Sequence, residues 1–191
     1  MMRLMGIDPS FSSMGIAMID TETKQITFER IKGEMGSRYQ EIFYQSVDRS
    51  KAIVNLVKEF KPDIVHSEEP LPQATSSSGL FMLDSMLFYS MMLAGVPKIM
   101  NSHPTHLRHL HEKKYTKTDS VNLAKEMIEV FYNAGYKTNK TRFNNDEAEA
   151  FIYLCRLYYS THKDVITEGL LRVCPNIKNK KEKQLYPRLK Q

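Results

Sequence analysis

Apolar residues in this chain first alternate with a period near two and then recur at helical spacing. Residues 3–7 and 14–19 are predicted as strands joined by a short polar turn, and residues 25–32 alternate more weakly as a third strand. Residues 39–60 carry apolar side chains at helical spacing. Pro62 ends that helix, because proline cannot continue the hydrogen-bond ladder. The pattern therefore predicts a three-stranded meander followed by a helix.

The rest of the chain alternates short strands with helices. Residues 64–67 form a strand after a crossover helix, so we expect it to run parallel to the first strand, and residues 98–100 form a last short strand. Further helices are predicted over residues 80–93, 104–110, 119–134 and 146–159. This order predicts an α/β fold with a mixed five-stranded sheet flanked by helices.

Composition narrows the class of protein. A hydrophobic fraction of 41% and a charged fraction of 26% over 191 residues are typical of one soluble globular domain. No apolar run is long enough to cross a bilayer, and two cysteines do not form a disulfide framework. We therefore expect a cytoplasmic protein without a membrane partner.

The charge is concentrated at the C-terminal end. From residue 172 onward there are seven Lys/Arg and one Glu, a net of +6, whereas the whole chain carries +5, so the remainder is close to neutral. We divide the chain into a domain over residues 1–170 and a basic tail over residues 171–191. The tail is typical either of an extension that binds a polyanion or of a solvated, disordered terminus.

Four acidic residues carry the candidate chemistry. Asp8 and Glu68 follow strands that we expect to be parallel neighbours, and the carboxyl ends of such strands meet at one edge of a sheet. Asp146 and Glu149 are three residues apart at a predicted helix start, which puts both on one helical face. Converging carboxylates repel each other unless cations separate them. Oxygen ligands of this kind suit Mg²⁺ or Mn²⁺, and a pair of such ions can support phosphodiester cleavage.

Each acid also has a structural interpretation. Asp8 could end a strand at a turn, and acids in the first turn of a helix are favoured by the helix dipole. Asn144 and Glu147 also match a capping box. The four acids together, in their order and at strand ends, favour the metal site. Glu69 adjoins Glu68, so the strand register decides which of the two faces inward, and we choose Glu68.

Three motifs resemble RuvC-type Holliday-junction resolvases. They are GIDPS at residues 6–10, KPDIVHSE at residues 61–68 and the helix start DEAEA at residues 146–150. The resemblance covers about residues 3–160. The compact size and the basic tail are similar to those of bacteriophage members, which would place the protein in the cytoplasm of a host cell.

The resemblance implies an RNase H-like fold and a homodimer that cuts branched DNA during recombination and repair. It implies two Mg²⁺ ions in each active site, with Mn²⁺ as a substitute. The residues that match the family's catalytic and metal-binding positions are Asp8, Glu68, Asp146 and Glu149. Lys117 is the nearest match to a catalytic lysine at a helix start, offset by about one residue.

Two positions depart from the family pattern. The last acid, Glu149, replaces the usual Asp, and its longer reach is expected to alter metal preference. Some members carry an aromatic residue three positions beyond the strand acid, where it separates bases at the junction. That position is Leu71 here, so the sequence leaves open whether this protein separates bases at the junction.

A basic segment over residues 103–117 precedes a predicted helix start and is a candidate phosphate-binding surface. With Leu71, the predicted DNA-binding residues are Arg108, Lys113, Lys114 and Lys117. The alternative is a solvated connection. The spacing of His103, His106 and His109 in this segment could suit zinc, but no cysteine is nearby, so we favour surface or phosphate contacts over a zinc site.

The predicted helix over residues 80–93 is apolar on nearly all sides and rich in Met. Such a helix must be buried on more than one face, so we expect it to form a homodimer interface as well as part of the core.

The sequence thus predicts a crossover junction endodeoxyribonuclease, which resolves four-way junctions, and further branched forms such as Y-forks, by paired nicks that leave 3′-hydroxyl and 5′-phosphate ends. Two alternatives remain. One is ribonuclease H activity on RNA–DNA hybrids, which would take an acid from the first long helix, Glu41 or Asp48. The other is a junction-binding protein without catalysis.

Overall fold

The structure is a computed structural model of the 191-residue chain. It describes residues 1–34, 36–69, 77–102, 110, 116–178 and 183–184, with only the backbone described at residues 77, 183 and 184.

Seven strands and five α-helices are described. The strands are β1 Arg3–Asp8, β2 Ser13–Asp20, β3 Gln25–Lys32, β4 Ile64–Glu68, β5 Ile99–Ser102, β6 Lys137–Thr138 and β7 Lys183–Gln184. The helices are α1 Tyr39–Phe60, α2 Ser77–Leu93, α3 Lys117–Asn133, α4 Asn145–Thr161 and α5 Val165–Val173, followed by a 3₁₀ turn at Pro175–Lys178. The α/β class predicted from the sequence is confirmed.

The strands form one mixed sheet in the order β6-β3-β2-β1-β4-β5-β7. β1, β2 and β3 are an antiparallel meander, whereas β4 and β5 run parallel to β1. Ile7 is the register partner of Ser67, so the next residues, Asp8 and Glu68, lie side by side at the carboxyl ends of adjacent strands. The five predicted strands form the centre of the sheet, and two-residue strands extend it at each edge.

Both faces of the sheet are buried, because its strands carry apolar side chains on both sides. On one face Met5, Ile7 and Val65 pack with α1 and α2. On the other face Leu4 and Ile64 pack with α3, α4 and α5. Residues two apart in a strand share a face, so Asp8 lies on the same face as Leu4, the one covered by α4.

The boundaries of the predicted elements that the structure describes agree with the prediction to within two residues, except at the start of α2. α3 begins at Lys117 rather than residue 119, because Thr116 and Asp119 form a capping box. α2 begins at Ser77 rather than residue 80. The predicted helix over residues 104–110 lies outside the described residues except for Leu110, which is buried.

Helix α5 was not predicted. It runs across the expected domain boundary between residues 170 and 171, and Cys174 and Ile177 beyond it are buried in the core. The described structure therefore continues past residue 170 to Lys178, with β7 beyond it, and the role of the basic tail stays a prediction. Both cysteines are free. Among the described helices, none combines the length and apolarity that a bilayer span requires.

Candidate functional site

The site lies where β1 and β4 end beneath the first turns of α4. Two glycines let this helix lie directly on the strands. A Cβ atom at Gly6 would overlap the carbonyl oxygen of Ala150, and one at Gly15 would overlap that of Asp146. Any larger residue at either position would hold α4 away from the sheet. The close approach brings the acids of the helix to the acids of the strands.

Asp8, Glu68 and Glu149 converge there. Each offers a carboxylate oxygen, and these oxygens all lie within 4.8 Å of one another. Asp8 is buried, with 8% of its surface exposed, whereas the other two are partly exposed. Three carboxylates from two adjacent strands and a helix form a set of oxygen donors that could hold a divalent cation.

Burial raises the pKa of Asp8 well above its ordinary value, and the charges of Glu68, Glu149 and Asp146 raise it further. Ionised together, the three carboxylates repel each other in a site of low dielectric constant, so a bound cation would relieve both the repulsion and the lost hydration. The negative potential extends to Tyr153 on α4. Burial raises the pKa of its hydroxyl well above the ordinary value, and the charges of Glu68, Asp8 and Glu149 add to the effect.

Asp146 lies near this cluster but is not one of the three converging residues. Its carboxylate accepts a hydrogen bond from Asn144 Nδ2 at 3.3 Å, and its charge is the smallest of the contributions that raise the pKa of Asp8. The structure thus brings three of the four predicted acids together and leaves the fourth at the edge.

The register separates Glu68 from Glu69. Glu68 joins the cluster on the α4 face, whereas the charge of Glu69 acts on Asp84 of α2. Burial, with a smaller effect from Glu69, raises the pKa of Asp84 to about 7. The two neighbouring glutamates therefore serve opposite faces of the sheet, as period-two alternation requires.

The start of α4 is anchored independently of any metal. Asn144 and Glu147 form the capping box that the sequence indicated, with Asn144 Oδ1 accepting from the Glu147 backbone at 2.9 Å. Glu147 is buried and bound by Lys140. Glu147 is therefore structural, and it fixes the turn that carries Asp146 and Glu149.

Helix α1 holds the turn that follows Asp8. The buried guanidinium of Arg49 donates through Nη2 to the carbonyl oxygen of Phe11 at 2.6 Å, and Gly33 leaves the room for that guanidinium. The strand that ends in Asp8 is therefore fixed from the opposite face of the sheet.

Helix α3 also reaches the cluster. Ser120 Oγ donates to Glu149 Oε1 at 3.0 Å. Lys117, the predicted catalytic lysine, is exposed and begins α3 one turn earlier. Sequence analysis missed Ser120, because a single hydroxyl in a helix carries no signal of its tertiary contact.

Several predicted residues lie outside the described residues: Leu71, His103, His106, Arg108, His109, Lys113 and Lys114. The two α1 acids of the ribonuclease H alternative are described. Glu41 caps the start of α1, and Asp48 forms an ion pair with Lys51 at 3.6 Å. Among the described residues, neither belongs to the acidic cluster.

Sequence comparison gives no match to a family model and none to a curated protein. Comparison with solved structures does find proteins of similar fold. RuvC from Thermus thermophilus is similar over 83% of this chain and 95% of its own, at 16% identity and a TM-score of 0.59. The same protein in complex with a Holliday junction substrate is similar over 84% of this chain and 95% of its own, at 14% identity and a TM-score of 0.58.

A fowlpox virus resolvase in complex with Holliday junction DNA is similar over 85% of this chain and 100% of its own, at 15% identity and a TM-score of 0.47. The RuvC comparisons confirm, at the level of the fold, the resemblance that the motifs indicated. The chain has an RNase H-like α/β fold.

Proposed function

We propose that this protein is a metal-dependent, structure-selective endodeoxyribonuclease that resolves four-way DNA junctions. The observation that carries the proposal is the convergence of Asp8, Glu68 and Glu149 within 4.8 Å at the carboxyl ends of adjacent strands. This convergence occurs on a fold shared with RuvC, a protein whose structure contains a Holliday junction substrate.

The donor set fits Mg²⁺ or Mn²⁺. All three converging groups are carboxylates, which these ions prefer, and among the described residues no His or Cys joins them as a zinc site would require. We assign two ions to the site. When bound, they would activate water and stabilise the leaving oxygen of a phosphodiester.

The residues take different roles in this proposal. Asp8, the most buried of the three converging acids, would contribute to both ions. Glu68 would contribute to one ion, and Glu149 and Asp146 would contribute to the other. Lys117 lies one turn before Ser120, which contacts Glu149, so we assign it to the scissile phosphate. The products are 3′-hydroxyl and 5′-phosphate ends.

Basic residues around the site would hold the DNA backbone. We assign this role to Arg108, Lys113 and Lys114, with Leu71 at the branch point. The backbone of Lys183–Gln184 in the basic tail pairs with β5, the strand next to Glu68. That pairing supports a tail that contacts phosphates near the cut, with an affinity that falls as salt rises.

Two copies of the chain would cut the two strands. α2 buries Leu83, Leu87 and Met91 but exposes Phe81, Tyr89 and Leu93, at 40%, 60% and 72% of their surfaces. Exposed apolar side chains on one helix support the proposed homodimer through α2. A two-fold dimer presents two sites to a junction that has its own approximate two-fold symmetry. A DNA junction as the substrate agrees with the cytoplasmic location that we expect from the sequence.

Cleavage of end-labelled nucleic acids tests the proposal. The substrates are a four-way junction, a Y-fork, a plain duplex and an RNA–DNA hybrid, each with Mg²⁺, Mn²⁺ or Ca²⁺. We expect symmetric nicks in the junction with Mg²⁺ or Mn²⁺ and none with Ca²⁺, because catalysis needs the correct ion geometry as well as its charge.

Other outcomes would replace the proposal. Cleavage of the hybrid alone would establish a ribonuclease H. Binding of the junction without cleavage in any metal would establish a junction-binding protein, and the acidic cluster would then be structural.

A further inference from the structure

The carboxylate of Glu149 receives two hydrogen bonds on one oxygen. Ser120 Oγ of α3 donates to Oε1 at 3.0 Å, and Asn145 Nδ2 of α4 donates to the same oxygen at 3.1 Å. Ser120 has none of its surface exposed, so its hydroxyl is held by its surroundings. One donor therefore comes from the same helix, four residues earlier, and the other comes from a different helix.

Glu149 needs such support for two reasons. Its side chain has one more rotatable bond than that of an aspartate, so the carboxylate has more positions to choose from. Its charge also lies beside the charges of Asp8 and Glu68, which repel it away from the site. Hydrogen bonds to an ionised carboxylate are among the stronger ones in proteins, and two donors on Oε1 restrain the position of that oxygen.

We propose that Ser120 and Asn145 are positioning residues that hold the Glu149 carboxylate in the site before a cation binds. This inference rests on the proposed function, because it concerns the metal ligands of that same site. Glu149 stands where RuvC-type resolvases usually carry Asp, and its longer side chain is accompanied by two hydrogen-bond donors that restrain it. Ser120 also ties the first turns of α3 to α4, which sets the place of Lys117.

The test is Mn²⁺ binding to the full-length protein in the absence of DNA, measured by calorimetry and by the electron paramagnetic resonance signal of Mn²⁺. We expect Ser120→Ala and Asn145→Ala each to weaken binding about 10-fold, since loss of groups that orient metal ligands costs 10–100-fold in affinity. Ser46→Ala is the matched control. Ser46 is equally buried, but its hydroxyl donates to Ile42 within α1, so binding should be unchanged.

A second background separates positioning from general structural damage. In a Glu149→Ala protein the donors have no carboxylate to hold, so adding Ser120→Ala should change Mn²⁺ affinity less than 2-fold. If Ser120→Ala weakened binding equally in both backgrounds, or in neither, the inference would be overturned. Should Ser120→Ala fail to fold, Asn145→Ala gives the same comparison, because Asn145 is only partly buried.

The failure of the two proposals can be told apart. Wild-type protein that binds no Mn²⁺ would overturn the proposed function, and this inference with it. If the wild type binds Mn²⁺ and neither Ser120→Ala nor Asn145→Ala changes the affinity, the inference alone would be overturned.

Discussion

At the scale of single residues, the acidic cluster is a place where folding and function oppose each other. Asp8 is buried beside two other carboxylates, and its pKa is raised well above the ordinary value of 3.8 by burial and then by Glu68 and Glu149. A carboxyl whose pKa is higher in the folded protein than in the unfolded chain destabilises the fold when it ionises. The cost is absent below the unfolded pKa and grows as pH rises through the folded pKa.

We therefore predict that Asp8→Asn abolishes cleavage and yet stabilises the metal-free protein. At pH 7 to 8 the variant should have the higher midpoint of thermal unfolding, and the difference should shrink toward pH 4. Each unit of pKa shift corresponds to about 1.4 kcal/mol. Adding Mg²⁺ should raise the midpoint of the wild type and leave that of the variant nearly unchanged, because only a state that binds the ligand is stabilised by it.

Junction binding provides the control for this variant. Asp8→Asn should still bind a four-way junction in a gel-shift experiment, since the phosphate contacts come from basic residues elsewhere. A variant that is less stable than the wild type at pH 8 without metal would show that Asp8 is not repelled by its neighbours.

The sequence was sufficient for part of the site. Asp8 and Glu68 were predictable because parallel strands bring their carboxyl ends together, and alternation decided between Glu68 and Glu69 once the register was known. The spacing of Asp146 and Glu149 gave a shared helical face but not the distance of each from Asp8. The contact from Ser120 to Glu149 joins two helices, and no local pattern encodes it.

At the scale of secondary-structure elements, the site depends on how closely α4 lies against the sheet. Gly15 of β2 leaves room for the carbonyl oxygen of Asp146, so the first turn of α4 rests on the strand backbone. The acids of that turn would move with any displacement of the helix.

Gly15→Ala should consequently destabilise the fold by about 1–3 kcal/mol, the usual cost of inserting an atom into a filled space. It should also weaken Mn²⁺ binding by moving Glu149 away from Asp8. Chemical denaturation and metal titration measure the two effects. Gly79→Ala is the matched control, because the nearest described atoms to a Cβ there, on Ile42 and Phe11, lie at 3.4 Å, an ordinary contact.

If Gly15→Ala were as stable and bound metal as tightly as Gly79→Ala, the close approach of α4 would have no role in building the site.

Element boundaries were predictable wherever apolar periodicity was strong, as in α1 and the meander strands. α5 was missed because it is short, contains Gly169 and β-branched residues, and so has low helix propensity. Its formation depends on tertiary contacts instead: Ile166 and Leu170 are buried in the core, and Gly169 lies directly against Val130 of α3.

At the scale of the whole molecule, the two faces of the sheet have different roles in the proposed function. α3 and α4 cover one face and build the acidic site, whereas α1 and α2 cover the other and expose apolar side chains. Tyr89 and Leu93 of α2 are the exposed residues that a homodimer would bury. In the proposed function, this placement would separate the chemistry from the assembly of two subunits.

We predict that Tyr89→Glu with Leu93→Glu yields a monomer by light scattering after size-exclusion chromatography, while the wild type is a dimer, because a charge cannot be buried in an apolar interface without a partner. The monomer should lose paired cutting of a junction and keep slower single nicks. Val165→Glu is the control, since Val165 is equally exposed but lies on α5. A dimer that persists in the double variant would locate the interface elsewhere.

In the proposed function, the carboxylates on the α4 face, and no others, hold the metal ions that cleavage of branched DNA requires. The most direct test compares Glu68→Gln with Glu69→Gln in Mg²⁺-dependent cleavage of a four-way junction. The two glutamates are adjacent in the chain, yet only Glu68 belongs to the acidic cluster. We expect Glu68→Gln to lose more than about 100-fold in rate, since even groups that only support metal ligands are worth 10–100-fold. Glu69→Gln should cleave at nearly the wild-type rate. Equal rates for the two variants, or loss of cleavage in Glu69→Gln alone, would show that the acidic cluster is not the active site.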